Sequence, residues 1–313
     1  MEFRQDHNIP MEDIKDLVTA IFVLTDDLYN ENIPDEIRNR LHKDKAILSD
    51  SEIITIAIMG EIMSIDSENA WVRYVHKNMR DLFPRMCERS RFNRLRRNLA
   101  SVTEFIRMKL GTKLDFTEDE YRIVDSFPLQ VCEFGRARFC RIFKGEGADY
   151  GNCPSKKKTY FGYKVHALCT RNGYITDFFL TPASTDDRDA VWSLVEEYGR
   201  LLKLIGDKGY IGVDFAQNLW DEKGVLMISL KKNNAKNPDP KPIRQMVFKV
   251  RRRIETSFSQ MTDQFNAEFV RAKSLWGLIT RLQSKILAFN LCFAINWLSG
   301  RSDRIACIKS LVF

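Results

Sequence analysis

The sequence predicts an α/β protein, a mixed sheet flanked by helices and preceded by an all-helical N-terminal domain. Three observations carry this prediction. Residues 1–112 show apolar side chains only at helical spacing. From Tyr121 to Leu230, short runs rich in β-branched and aromatic residues alternate with helical stretches. Between two of those runs stands Asn172-Gly173, the dipeptide that suits a tight hairpin turn.

The elements follow in order. Over residues 11–30, Ile14, Leu17, Val18, Ile21, Phe22 and Leu28 recur at helical spacing. Ser49 followed by Glu52 forms a capping box, so a second helix starts just before Ile53–Met63. Ser67–Asn78 reads as a third helix. Pro84 then breaks the chain before a longer one, Ser90–Leu110, with Phe92, Leu95, Leu99, Val102 and Ile106 in one apolar stripe. Arg91, Arg94 and Arg97 project elsewhere on that helix, with Arg89 and Arg96 nearby. The character changes at Leu114. Tyr121–Asp125 is a short strand ending in a carboxylate, and Thr159–Cys169 and Tyr174–Leu180 form the hairpin. Thr185-Asp-Asp caps a helix running to Leu202, and Leu204–Asp207 is another short strand. A helix over Val213–Lys223 and a strand over Val225–Leu230 lead into a polar loop, Lys231–Pro242, then into a strongly basic helix containing Arg251–Glu255. Further helical pattern fills 275–298. The stretches 134–158 and 231–242 are the only long irregular ones, and no internal repeat is visible. Strand, hairpin, helix, strand, helix, strand, helix is the order of a ribonuclease-H-like sheet. The boundary falls between residues 1–112 and 113–313.

Composition narrows the function. In 313 residues, 44% are hydrophobic and 11% aromatic, which is globular. The 15 glycines and 9 prolines lie below average usage and argue against long disordered tracts. A net charge of +7, from 49 basic and 42 acidic residues, leans towards a polyanionic partner. The 7 cysteines are odd in number and form no C-x-x-C pair, so neither a zinc knuckle nor a disulfide framework is indicated. The acidic, polar N-terminus resembles no secretory or mitochondrial signal. The apolar stretch Ile286–Leu298 is interrupted by Asn290 and Asn296 and is too short to span a bilayer. A soluble, cytoplasmic protein with no membrane association is expected.

Phosphodiester cleavage without a covalent intermediate needs an activated nucleophile and neutralised charge on the attacking and leaving oxygens, which two divalent cations supply. Such ions take hard oxygen ligands. Asp125 follows Ile123-Val124, and Asp207 follows Leu204-Ile205, so each stands where a strand meets solvent. Glu255 lies in a helix beside Ile254, Phe258 and Met261, from which a carboxylate could reach the sheet while Arg251, Arg252 and Arg253 face phosphate. The structural alternatives are plain: a strand-end Asp is commonly a turn residue or helix cap, and a Glu among arginines commonly makes surface ion pairs.

At these residues the chain resembles the DDE transposases of bacterial insertion sequences, and within them the insertion-sequence family numbered nine-eight-two. The matching segments are Ile123-Val-Asp125-Ser-Phe-Pro-Leu, Tyr160-Phe-Gly-Tyr-Lys-Val-His166, Thr181-Pro-Ala-Ser-Thr-Asp-Asp-Arg-Asp189, Gly206-Asp207-Lys-Gly-Tyr210 and Arg253-Ile-Glu255-Thr-Ser-Phe. They fall in order across residues 120–260, and Leu48-Ser-Asp-Ser-Glu52 and Ser90-Arg-Phe-Asn-Arg94 look similar as well. The resemblance implies a ribonuclease-H-like catalytic domain, two Mg²⁺ or Mn²⁺ ions, and Asp125, Asp207 and Glu255 as first, second and third acid. It implies strand cleavage and transfer, with the terminal inverted repeats and target DNA as partners and a homodimer or larger synaptic complex in a bacterial, nucleoid-associated setting. One departure stands out. Many such enzymes place Tyr-x2-Arg-x3-Glu-x6-Lys around the third acid; here Arg251 and Glu255 fit, but Phe248 replaces the tyrosine and Thr262 the lysine. Lys249, Arg252 or Arg253 would then have to serve the phosphate.

Three features stay open on the sequence. His166 is either a satisfied core histidine or a neighbour of the acids, since its strand should lie beside that of Asp125. Lys156, Lys157 and Lys158, with Arg136, Arg138 and Arg141 upstream, either touch DNA or form a solvated face. The helix bearing Arg91, Arg94 and Arg97 either reads DNA, as the second helix of a helix-turn-helix, or packs and shows its arginines to water. A ribonuclease-H-like nuclease without strand transfer and a domesticated DNA-binding protein are the competing functions.

Overall fold

The β-branched and aromatic runs assemble into one six-stranded sheet. The computed structural model describes residues 13–40, 46–196, 198, 202–231, 238–301 and 307–311. The sheet comprises β1 (Tyr121–Gln130), β2 (Asp149–Cys153), β3 (Lys158–Cys169), β4 (Ile175–Pro182), β5 (Leu202–Gly206) and β6 (Val225–Ser229), in the order β2-β3-β1-β5-β6, with β4 also on β3. One edge of the long β3 is shared end to end: β2 pairs with Lys158–Gly162 and β4 with Tyr163–Cys169. On its other edge β1 runs antiparallel, Ile123 opposite Cys169 and Gln130 opposite Gly162. β5 then lies parallel to β1 only over Tyr121–Ile123, and β6 parallel to β5. This mixed α/β arrangement is compatible with the ribonuclease-H-like order.

Helices cover both faces. On one, α8 (Asp187–Leu194) and α9 (Val213–Lys223) bury Val124, Leu168, Val191, Leu194, Leu204 and Leu219 with Tyr210. On the other, α10 (Lys241–Asp263) packs Val247 against Ile205 and Leu230, and Phe258 edge-on against Phe127 at 4.9 Å between centroids. Ser257 of α10 donates to the carbonyl of Gly173 at 2.8 Å. Gly173 has φ +100°, and a side chain there would meet that hydroxyl at 2.8 Å, so the Asn172-Gly173 turn needs its glycine.

The chain forms two compact units, residues 115–262 and, separately, residues up to 114 together with those from 263. The second unit contains α1 (Ile14–Asn32), α2 (Asp35–Arg38), α3 (Asp50–Ile62), α4 (Glu68–Asn78), α5 (Arg89–Asn98), α6 (Ala100–Lys113) and α11 (Leu275–Leu298), with α7 (Arg141–Gly145) belonging to the sheet unit. The capping box is present: Ser49 accepts from the Glu52 amide at 3.0 Å, and Glu52 accepts from the Ser49 amide at 2.6 Å. The last helix, grouped in sequence with residues 113–313, packs on α3 and α6. It is longer than the apolar stretch read from the sequence, and an 18-residue stretch of it is apolar enough to cross a membrane, but 89% of that stretch is buried, as in the core helix of a soluble protein.

Several expectations need correction. β1 does not end at Asp125 but continues to Gln130, with Pro128 inside it. Past Ile123 that strand pairs on one side only, which leaves a proline tolerable. The helix expected over Ser90–Leu110 is broken at Leu99 (φ −94°, ψ 11°) into α5 and α6, without any Gly or Pro to announce it. The helix capped near Thr185 stops at Leu194, and Leu202 already belongs to β5. The stretch 134–158 is not irregular: it holds a 3-10 turn (Phe134–Phe139), α7 and the edge strand β2. Half of the loop expected at Lys231–Pro242, residues 232–237, lies outside the described residues, and its last two residues already belong to α10.

Candidate active site

Alternation along the strands places the two aspartates. The last parallel couple between β1 and β5 is Ile123 with Ile205. Asp125 stands two residues further along β1, on the face that carries Phe127, and Asp207 directly follows the last residue of β5. Asp125 accepts from the Ser126 amide at 2.8 Å. Asp207 caps the turn after β5, accepting from the Gly209 amide at 2.6 Å. A side chain at Gly206 would meet the buried Tyr210 ring at 2.8 Å, which leaves little room for one, and a side chain at Gly209 would meet the Asp207 carboxylate at 2.9 Å and push it aside.

The electrostatics follow from that placement. Burial, and then the charges of Asp207 and Asp187, push the Asp125 carboxyl up to about 7, although the Ser126 amide and Arg251 oppose the rise. Tyr210 is 1% exposed, and its hydroxyl has no hydrogen-bond partner among the described residues. Burial, followed by Asp187, Asp125 and Asp207, holds that hydroxyl far above its ordinary range.

Asp187, first residue of α8, is a participant that the sequence does not single out. Its Oδ1 accepts from Ser126 Oγ at 3.1 Å and from Lys164 Nζ at 3.0 Å. His166 is fully buried, with Nε2 2.9 Å from the Thr181 hydroxyl and Nδ1 3.6 Å from the same Asp187 oxygen. Burial lowers its pKa to about 4 against the pull of Asp187, so the ring is neutral at pH 7. Ser126 sits opposite His166 in the β1–β3 register, which sets both on the α8 face. The signal for Asp187 was in Thr185-Asp-Asp, where a capping role hid it: Asp186 is the cap, its side chain accepting from the Arg188 amide at 2.9 Å.

Glu255 is placed differently. Its side chain is 55% exposed, and its carboxylate lies 3.5 Å from Arg251, one turn earlier on α10. It lines an open depression of about 290 Å³ with Gln245, Phe248 and Arg252. Arg251 of α10 is one of the charges felt by Asp125, and it opposes the rise. Among the described residues no three His, Cys, Asp or Glu side chains converge as a metal-binding group. The pair Asp125 and Asp207 nonetheless suits a hard divalent cation: Mg²⁺ commonly takes one or two carboxylates and completes its shell with water and substrate oxygens. A cation there would also relieve the repulsion that raises Asp125.

The other basic residues divide by exposure. Arg91 and Arg94 on α5 are exposed, whereas Arg97 is half-buried. Arg96 is buried and pairs with Glu68 at 2.9 Å, so it is part of the packing. Lys156, Lys157, Lys158 and Arg252 are exposed, and Arg251 is half-buried.

A family model described as a transposase DDE domain matches residues 116–275, just over half of the chain. No curated protein matches the chain, and no solved structure does.

Proposed function

Because the chain belongs to the transposase DDE domain family, we propose that it cleaves DNA strands at the ends of an insertion sequence of the family numbered nine-eight-two and transfers them to target DNA. The observation that carries this reading is that Asp125, just past the β1–β5 pairing, and Asp207, at the end of β5, are close enough for the charge of one to hinder ionisation of the other. In this reading Asp125 and Asp207 hold Mg²⁺ or Mn²⁺, and Glu255 completes a site for two ions. When bound, such ions activate the nucleophile and neutralise charge on the attacking and leaving oxygens. The charge of Arg251 reaches Asp125, and a guanidinium so placed suits the scissile phosphate. Exposed Glu255 has to leave Arg251 to join the aspartates, a change that the arrival of phosphate on the arginine would favour. Arg91, Arg94 and Arg97 would bind the terminal repeats, with Lys156, Lys157, Lys158 and Arg252 along the backbone. Two ends must be joined, which requires a dimer or larger complex.

The test is a strand-transfer assay with paired terminal-repeat DNA. Cleavage and joining are expected with Mg²⁺ or Mn²⁺, and binding with little chemistry in Ca²⁺. Asp125→Asn, Asp207→Asn and Glu255→Gln should each abolish cleavage while the circular dichroism spectrum stays the same. Undiminished cleavage in EDTA would sink the mechanism, and activity in Glu255→Gln would remove the third acid. Cleavage without joining would make the chain a nuclease.

A further inference from the structure

The segment between β1 and β3 belongs neither to the acid cluster nor to the sheet's core, yet it is firmly built. Ala137 and Phe143 are buried, Tyr163 Oη donates to the Glu146 carbonyl at 3.0 Å, and β2 pairs with β3 along its whole length. What it leaves in solvent is unusual: Phe139 is 68% exposed, Tyr150 48% and Phe134 47%. The rings of Phe134 and Tyr150 meet edge-on at 5.8 Å, and Tyr150 rests on the buried Phe161 at 5.0 Å. The same segment carries Arg136, Arg138, Arg141 and Lys144, all exposed and none in an ion pair with a described residue. The Arg138 guanidinium lies 4.6 Å over the Phe139 ring.

Exposed rings on a fixed base, interleaved with free cations, match one partner chemistry well. Cations meet phosphates, and ring faces meet bases that have lost their own stacking neighbours. A duplex cannot use the rings, because its base faces are already covered. We infer that this face binds single-stranded DNA, stacking unpaired bases on Phe134, Phe139 and Tyr150. The inference deepens the reading of the chain as a DNA-processing enzyme and rests on it. It also fits the path of β1, which leads from Asp125 to Gln130 and into this segment, a run of roughly 17 Å at about 3.3 Å per residue. A strand end freed at the aspartates would have to extend at least that far to meet the rings.

The experiment uses the full chain carrying Asp125→Asn, so that bound DNA stays intact. Anisotropy of a labelled oligothymidine is compared with that of a duplex of the same length. Phe139→Ala, and separately Phe134→Ala with Tyr150→Ala, should each weaken single-strand binding on the order of tenfold per ring and leave duplex binding unchanged. Tyr150→Phe should bind normally, since the ring and not the hydroxyl does the stacking. Arg136→Ala with Arg138→Ala should flatten the salt dependence by about 0.7 for each phosphate no longer neutralised. Unchanged single-strand affinity in the ring variants, or equal loss for both DNAs, would overturn the inference. So would tighter, ring-dependent binding of an oligouridine RNA, which would assign the face to RNA. Sedimentation in which only the ring variants lose a dimer, with strand affinity intact, would assign it to a second copy of the chain and overturn it too. Failure of the enzyme reading would show elsewhere, as uncut DNA with the unsubstituted chain.

Discussion

Asp125 carries its charge where the fold gives it little help. Its carboxyl is pushed up to about 7, chiefly by burial, from an ordinary aspartate value near 4. Folding therefore favours the protonated form, and the metal-free protein should lose stability as pH rises from about 4 through about 7. The loss is on the order of a few kcal/mol, since each tenfold change in proton affinity is worth about 1.4 kcal/mol. Thermal melting across that range should fall in the parent chain and flatten in Asp125→Asn, and Mg²⁺ should restore the parent but not the variant at neutral pH. Identical melting profiles in the two chains would show that Asp125 is not the group responsible. Asp187 calls for a different experiment, because it acts on the site through Ser126, Lys164 and the charge it presents to Asp125. Asp187→Asn removes a charge-assisted contact worth about 1.5–3 kcal/mol, so cleavage should drop by about ten- to a hundredfold. With one negative neighbour gone, Asp125 should ionise more easily and the acid limb of the pH–rate profile should move to lower pH. Full activity with an unmoved profile would leave Asp187 a helix-start residue only.

At the scale of elements, α5 offers the clearest separation of recognition from chemistry. Its Phe92 and Arg96 are buried, while Arg91 and Arg94 face solvent without ion pairs to any described residue. Replacing Arg91, Arg94 and the half-buried Arg97 with alanine should lower terminal-repeat affinity and flatten its salt dependence by about 0.9 for each phosphate no longer neutralised. Metal-dependent nicking of non-specific DNA should survive, since the acids are untouched; unchanged affinity and salt slope would mean that these arginines only meet water. What the sequence revealed at this scale was whatever is local or periodic. The Ser49–Glu52 box, the Asn172-Gly173 turn and the strands leading to Asp125 and Asp207 each carry their own signal within a few residues. The break at Leu99 had none, because it depends on which side chains α5 and α6 bury. β2 had none either: Asp149-Tyr-Gly-Asn-Cys153 lacks apolar alternation and becomes a strand only because β3 offers it a free edge. Asp187 was legible as a residue but not as a participant, since its partners Ser126 and Lys164 come from two other strands.

At the scale of the whole molecule, the unit built from the two ends of the chain has a charged centre. Glu61 of α3 is 3% exposed, with Lys285 Nζ at 2.6 Å and Arg281 at 3.1 Å, both from α11. Burial works against its charge, but Lys285 and then Arg281 outweigh burial and hold the carboxyl below its ordinary value. Around this cluster Leu278, Leu282, Ile286, Leu287, Phe289 and Phe293 are at most 1% exposed. Each such side chain contributes about 1.5–3 kcal/mol on burial, so together they approach or exceed the roughly 5–15 kcal/mol by which a domain is stable. A fragment ending at residue 114 would lose all of them and would strip Glu61 of both Lys285 and Arg281. We therefore expect residues 1–114 alone to show no cooperative thermal transition, and co-expression with residues 263–313 to restore one. Glu61→Gln in the full chain should lower stability by on the order of a few kcal/mol, because Lys285 and Arg281 then keep only Asp66, at 3.6 and 3.8 Å, as a carboxylate partner. Residues 115–262, whose sheet closes its own hydrogen bonds, should keep their strand signal when expressed apart. A sharp melt of residues 1–114 by themselves would show that the N-terminal helices hold together without α11 and can act as a separable DNA-reading module.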